Sequence, residues 1–184
     1  MTTIFTHAAI PLAIGLGLGK ARIPPRLLAA GMFASICPDF DVVAFKLGIA
    51  YADAFGHRGA SHSLVFALLL ALLAAAAAPL LRASVHKSLL FIFVATASHA
   101  MLDMLTNGGL GVALLWPWSD QRFFAPWQFI EVSPLRLDRV FSERGLAVMR
   151  SELLWVWLPA TLMVITLRLS YRCAETPLAR SNQH

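Results

Sequence analysis

Seven residues in four separated stretches have the chemistry to hold a divalent metal: His7, then Asp39 and Asp41, then His57 and His62, then His99 and Asp103. His99 and Asp103 are four positions apart, so on a helix they share one face and can grip one ion. Asp39 and Asp41 cannot share a regular helix face. Pro38 stands before them and breaks or kinks a helix there, which lets both carboxylates turn inward. His57 and His62 flank Arg58-Gly59-Ala60-Ser61, a turn-like stretch that can bend two imidazoles toward one centre. Four neutral imidazoles and three carboxylates exceed what one tetrahedral ion needs. They suit two ions bridged by a carboxylate, the arrangement that clamps attacking and leaving oxygens in phosphoester hydrolysis. Mixed nitrogen and oxygen donors suit zinc or manganese. Taken singly, each element has a plainer explanation: a His at a helix end is an interfacial polar residue, an Asp after Pro is a turn or cap, and a His-Asp pair is a proton relay.

The elements that position these residues are apolar. Hydrophobic residues make up 58% of the 184-residue chain and charged ones 14%, with mean hydropathy +0.69. Soluble domains carry roughly 25% charged residues. The net charge of +5 does not indicate a nucleic-acid binder, because the basic residues lie in short loops beside apolar runs. Apolar runs at residues 64–81, 88–105 and 153–167 predict three spans, the last with Trp155 and Trp157 near its start as interfacial anchors. Residues 27–45 predict a fourth, broken at Pro38, and residues 4–19 a short fifth that lacks the basic start and cleavage pattern of a secretory signal peptide. The expected fold is all-α: one polytopic transmembrane bundle of about five helices over residues 1–184, with one aromatic-rich extramembrane loop at 107–150. Gly15, Gly17 and Gly19 suit close helix packing. Cys37 and Cys173 read as small membrane residues without a disulfide framework.

With five spans, Lys20, Arg22 and Arg26 fall on the same side as Arg82 and Lys87 and as Arg168, Arg172 and Arg180. The positive-inside rule makes that side cytoplasmic, with the amino terminus outside and the carboxyl terminus inside. Of the ten acidic residues, all but Glu175 fall on the opposite side. The loop arginines 122, 136, 139, 144 and 150 are nearly balanced by Asp120, Glu131, Asp138 and Glu143. All seven candidate ligands then lie at the outer side, and only His86 and His184 map to the cytoplasmic one.

The pattern Thr6-His7, Cys37-Pro38-Asp39-Phe40-Asp41, His57-Arg58-Gly59, Ser61-His62-Ser63, Ser98-His99 and Leu102-Asp103 resembles bacterial inner-membrane proteins described as LexA-regulated, membrane-bound, metal-dependent hydrolases. Leu115-Trp116-Pro117-Trp118-Ser119, Arg122-Phe123-Phe124 and Ser133-Pro134-Leu135 extend the resemblance over about the first three quarters of the chain. The ligand order is also similar to that of zinc-dependent phospholipase C and single-strand nucleases. No histidine follows His99 until His184, so the later ligands of those soluble enzymes are missing, and two ions rather than three are implied. The resemblance implies hydrolysis by a metal-activated water, with Asp39 or Asp41 as bridge or base. Arg58, and second Arg122, could hold a phosphate oxygen; headgroup contact at the interface is the alternative for both. A site at leaflet depth beside Trp116, Trp118, Phe123, Phe124 and Trp127 favours a lipid or lipid-linked substrate, although those aromatics could equally anchor the loop. Two other classes remain: a membrane stress protein with a structural metal, and a metal or proton transporter. The latter is disfavoured because no ionisable residue lies in the cytoplasmic half of a confident span.

Overall fold

The structure, a computed structural model, describes residues 2–133 and 142–175. Pro134, Leu135, Arg136, Asp138, Arg139, Arg180 and His184 lie outside the described residues, as do the side chains of Arg172 and Cys173. Among the described residues the fold is all-helical, with two isolated β-bridges and no strand. In order it runs α1 (Ile4–His7), α2 (Ala9–Leu18), α3 (Pro25–Ala34), a 3-10 turn (Cys37–Val42), α4 (Val43–Lys46), a 3-10 turn (Ala60–His62), α5 (Leu64–Ala76), α6 (Val85–Met104), α7 (Glu143–Glu152), a π-turn (Leu153–Trp157) and α8 (Leu158–Glu175). Three continuous helical segments are long and apolar enough to cross a membrane: Pro25–Lys46, Val85–Met104 and Glu143–Tyr171. Ile4–Leu18 and Leu64–Ala76 are shorter apolar rods.

The boundaries have local causes. Pro25 opens α3 at a position where its missing N–H would be unbonded anyway. Ser63 and Ser84 cap α5 and α6 by accepting from Phe66 N at 3.1 Å and Lys87 N at 3.4 Å. The run at 64–81 reads as one span, but α5 ends at Ala76, because Pro79 disfavours helix in the residue before it. The last segment begins at Glu143, capped by Ser142, ten positions before the apolar run at 153. Its first turns carry Glu143, Arg144, Arg150 and Ser151 among the apolar residues, which makes them polar enough in sequence to read as loop.

Packing relies on small residues. Ala67, Ala71 and Ala75 form a buried stripe on α5 along its contact with α6. Gly17 lets α2 lie against α8: a Cβ there would meet Leu167 Cδ1 at 2.6 Å. Gly19 ends α2 with φ at 78°, a cap conformation that favours glycine. One buried cluster joins Ala9, Ala13, Leu102, Val156 and Ala160, and a second joins Leu27, Ala34, Ala71, Phe91 and Ile92. The outward faces stay apolar: Leu69, Leu73, Leu154, Leu162, Ile165 and Leu169 are all exposed. Apolar surface of this extent on a helical bundle is what contact with lipid requires.

Candidate metal centre

Four chain positions meet at one end of the bundle. The α1 helix carries His7, the 3-10 turn after α3 carries Asp39, the 3-10 turn before α5 carries His62, and the last turns of α6 carry His99 and Asp103. All five side chains are buried. Pro38 produces the interruption expected of it, and Asp39 points from the resulting turn into the bundle.

His7, Asp39, His99 and Asp103 form a buried group whose ligand atoms all lie within 4.8 Å of one another, so the group could hold a metal ion. His7 Nε2 lies 3.5 Å from Asp39 Oδ2 and 3.7 Å from Asp103 Oδ1, and His99 Nε2 lies 3.5 Å from Asp39 Oδ1. A tetrahedral ion with ligands at about 2.0–2.1 Å sets its donor atoms about 3.3–3.4 Å apart, so these edges are close to that spacing. Both oxygens of the buried Asp39 carboxylate lack a hydrogen-bond partner. An orphaned buried carboxylate is costly unless a cation meets it, and this fits the group to a metal. His99 Nδ1–H donates to the Ser35 carbonyl at 2.7 Å, leaving the Nε2 lone pair for the centre. His62 Nε2 stands at the rim, 3.0 Å from His99 Nε2, 3.6 Å from Asp103 Oδ2 and 3.9 Å from Asp39 Oδ1. Burial opposes a charge on His62, but the Asp103 and Asp41 carboxylates outweigh it and raise the imidazole to about 9.

Asp41 and His57 stand behind this group. Asp41 Oδ1 accepts from His57 Nδ1 at 2.5 Å, while Oδ2 accepts from Ser61 Oγ at 2.6 Å and from the Arg58 backbone N–H at 3.0 Å. The same Oδ2 lies 3.1 Å from His62 Nδ1. The turn at residues 57–62 is thus organised around one carboxylate, which aims His62 at the centre. Arg58 is fully buried. Its Nε lies 3.0 Å from Asp103 Oδ2, Nη1 donates to Gly108 O at 2.8 Å, and Nη2 donates to Thr106 Oγ1 at 2.9 Å. Its backbone has φ at 61°, a left-handed conformation held by the contacts at both ends of the residue. Gly109 makes room for this guanidinium, since a Cβ there would meet Arg58 Nη1 at 2.9 Å.

Arg122 acts on the loop. Its guanidinium donates to the carbonyls of His57 at 3.1 Å, Tyr51 at 3.2 Å and Asp53 at 3.0 Å, and so fastens the turn that holds His57. Trp118 and Trp127 face outward, Phe123 and Phe124 are half-buried, and Trp116 packs edge-on against Phe55 at 5.7 Å. Glu152 belongs to none of the sequence motifs above. This buried residue at the π-turn accepts from the Thr3 backbone N–H, from Thr3 Oγ1 at 2.6 Å and from Thr6 Oγ1 at 2.8 Å. It ties the segment carrying His7 to the last helix. Thr2, also unremarked in sequence, donates its N–H to Asp103 Oδ1 at 3.1 Å, and its hydroxyl lies 2.8 Å from His7 Nε2. The signal for Glu152 was available: a lone carboxylate at the head of an apolar span is costly unless it has partners. Asp39 also lines a cavity of about 1060 Å³ that runs between α1, α4 and α7.

A chain whose described residues are all-helical, with three helices among them long and apolar enough to cross a membrane and a buried His/Asp group at one end, belongs to the polytopic membrane proteins. More narrowly, it belongs to the YdjM inner membrane protein family, whose model matches residues 1–175. It is 53% identical over 165 residues to inner membrane protein YbcI of Escherichia coli (strain K12), a match covering 89% of this chain and 95% of that one. No solved structure matches the chain. Family membership and the apolar helices give it a multi-pass location in the inner membrane.

Proposed function

We propose that the chain is a membrane-embedded metal-dependent hydrolase acting on a phosphoester of a lipid or lipid-linked molecule. The observation that carries this reading is the buried group of His7, Asp39, His99 and Asp103, with both Asp39 oxygens lacking hydrogen-bond partners. A divalent ion bound there, zinc or manganese, supplies Lewis acidity and an activated water. His7, Asp39, His99 and Asp103 would hold an ion there, and His62, whose ring Nε2 is 3.9 Å from Asp39 Oδ1, would be the nearest further donor toward a second. Asp41 orients His57 and His62. Control by LexA and the distant likeness to zinc-dependent phospholipase C belong to the same reading, as does the placement of the site on the outer side.

Complete burial of His7, His62, His99 and Asp103 supports a second reading, a structural metal without turnover. Elemental analysis of purified protein, wild type against a His99→Ala, Asp103→Ala double variant, tests the centre; equal metal in both overturns it. A lipid and phosphoester panel with metal-loaded protein in bilayers separates the two readings. Turnover lost in Asp39→Ala supports the hydrolase, and a metal-replete protein with no turnover on the panel supports the structural role.

A further inference from the structure

The cavity beside Asp39 is large for a small-molecule site, about 1060 Å³ against roughly 300–1,000 Å³ for such sites in general. Its walls are overwhelmingly apolar, from Phe5 on α1, Val42 and Phe45 around α4, and Leu146, Met149 and Leu153 on the last segment. Phe5, Met149 and Leu153 are themselves exposed, so the cavity is continuous with exposed apolar surface. Two cations, Lys46 and Arg150, also line it, and among the described residues neither has an ion-pair partner, whereas the second carboxylate on the lining besides Asp39, Glu152, is occupied by the Thr3 and Thr6 hydroxyls. Asp39 joins this wall to the metal-binding group.

This combination selects the occupant. A peptide segment would bury backbone N–H and C=O groups against walls that offer them almost no partners, and each unmet group is costly. A hydrocarbon chain needs none. Two unpaired cations on the same wall complement a negative head. We propose that the cavity receives one acyl chain of an anionic glycerophospholipid, with Lys46 and Arg150 meeting its phosphate. The inference deepens the hydrolase reading by naming its substrate class, but binding does not depend on turnover.

The test uses the full chain in nanodiscs with trace phosphatidylglycerol carrying a diazirine on one acyl chain, and adducts mapped by mass spectrometry. Adducts should concentrate on Phe5, Leu146, Met149 and Leu153 above the exposed α8 residues Leu162 and Leu169, which sample only bulk lipid. Met149→Trp should lower cavity adducts by about tenfold, the equivalent of ~1.4 kcal/mol, and leave those at Leu162 unchanged. Lys46→Gln with Arg150→Gln, two exposed positions that can change without unfolding the protein, should cut the preference for phosphatidylglycerol over a phosphatidylcholine probe by about thirty-fold. Labelling no greater than at Leu162 and Leu169, or a preference unmoved by the double substitution, overturns the inference. Metal content and turnover are read in the same samples. Cavity labelling without metal or turnover keeps this inference and removes the hydrolase reading; metal and turnover without preferential labelling does the reverse.

Discussion

His62 and Asp41 face each other at 3.1 Å, ring Nδ1 to carboxylate Oδ2, and the opposite ring nitrogen lies 3.0 Å from His99 Nε2. A carboxylate behind an imidazole fixes the ring's direction and raises its basicity as a ligand. Asp41 therefore acts on the centre through His62, whereas Asp39 faces the centre itself. Asp41→Asn should weaken metal binding by about 10–100-fold and leave some metal in place. Asp39→Ala should leave no metal above background. Competition with a chelator of known affinity measures both. Equal losses in the two variants would place Asp41 among the ligands.

Arg58 leads to an expectation different from that of a phosphate hand. Its guanidinium is buried against Asp103, Thr106 and Gly108. Removing one partner of a buried ion pair costs about 3–5 kcal/mol where the other charge has nothing else to meet, and less here, because Asp103 keeps the Thr2 N–H and the neighbouring imidazoles. Arg58→Met should lower thermal stability markedly and reduce metal content together, since Asp103 loses a neighbour that positions it. Arg58→Lys should rescue little, since three contacts depend on the forked geometry. Thermal denaturation in detergent with parallel elemental analysis checks this. A stable, metal-replete Arg58→Met with weakened substrate binding would restore the phosphate role.

The sequence showed directions well and distances poorly. The four-residue spacing of His99 and Asp103 and the break at Pro38 follow from helix geometry, and both appear as expected. Which carboxylate faces the centre was not legible, because Asp39 and Asp41 flank the same bend and only tertiary contacts separate an inner from an outer position. The burial of Arg58 was hidden for the same reason: nothing local to it says that Thr106 and Gly108 return to its guanidinium from 48 and 50 positions away. Glu152 fell between a loop read as ending at 150 and a span read as starting at 153. Its partners, Thr3 and Thr6, lie at the far end of the chain.

Orientation is open to direct measurement. By the positive-inside rule the three basic regions predict that the connection between α5 and α6 is cytoplasmic. In a variant lacking Cys37 and Cys173, a cysteine at Ala83, beside Ser84, should stay unlabelled by an impermeant thiol reagent in intact spheroplasts and react after permeabilisation. A cysteine at Trp118, an exposed position in the aromatic loop, should react in both. The reverse pattern would invert the protein and put the metal-binding group at the cytoplasmic leaflet.

Glu152 is expected to govern the centre from outside it. Its carboxylate accepts from the Thr3 backbone N–H and from the hydroxyls of Thr3 and Thr6, and Trp157 Nε1 donates to the same Thr6 hydroxyl at 3.1 Å. These contacts hold the segment that presents His7 and Thr2 to Asp39 and Asp103. Hydrogen bonds to a charged group contribute about 1.5–3 kcal/mol each, and buried donors left unmet add their own cost. Glu152→Ala should therefore open this segment locally rather than unfold the bundle, whose helices pack through other faces. Hydrogen exchange should rise at residues 2–8 and stay unchanged in α5 and α6. Metal affinity should fall, but less than in Asp39→Ala, because three of the four grouped ligands keep their places. Glu152→Gln retains one acceptor and should give intermediate values of both quantities. Exchange at residues 2–8 that does not move in Glu152→Ala would show that the segment is held by something else. A metal loss as complete as that of Asp39→Ala would instead place Glu152 among the ligands.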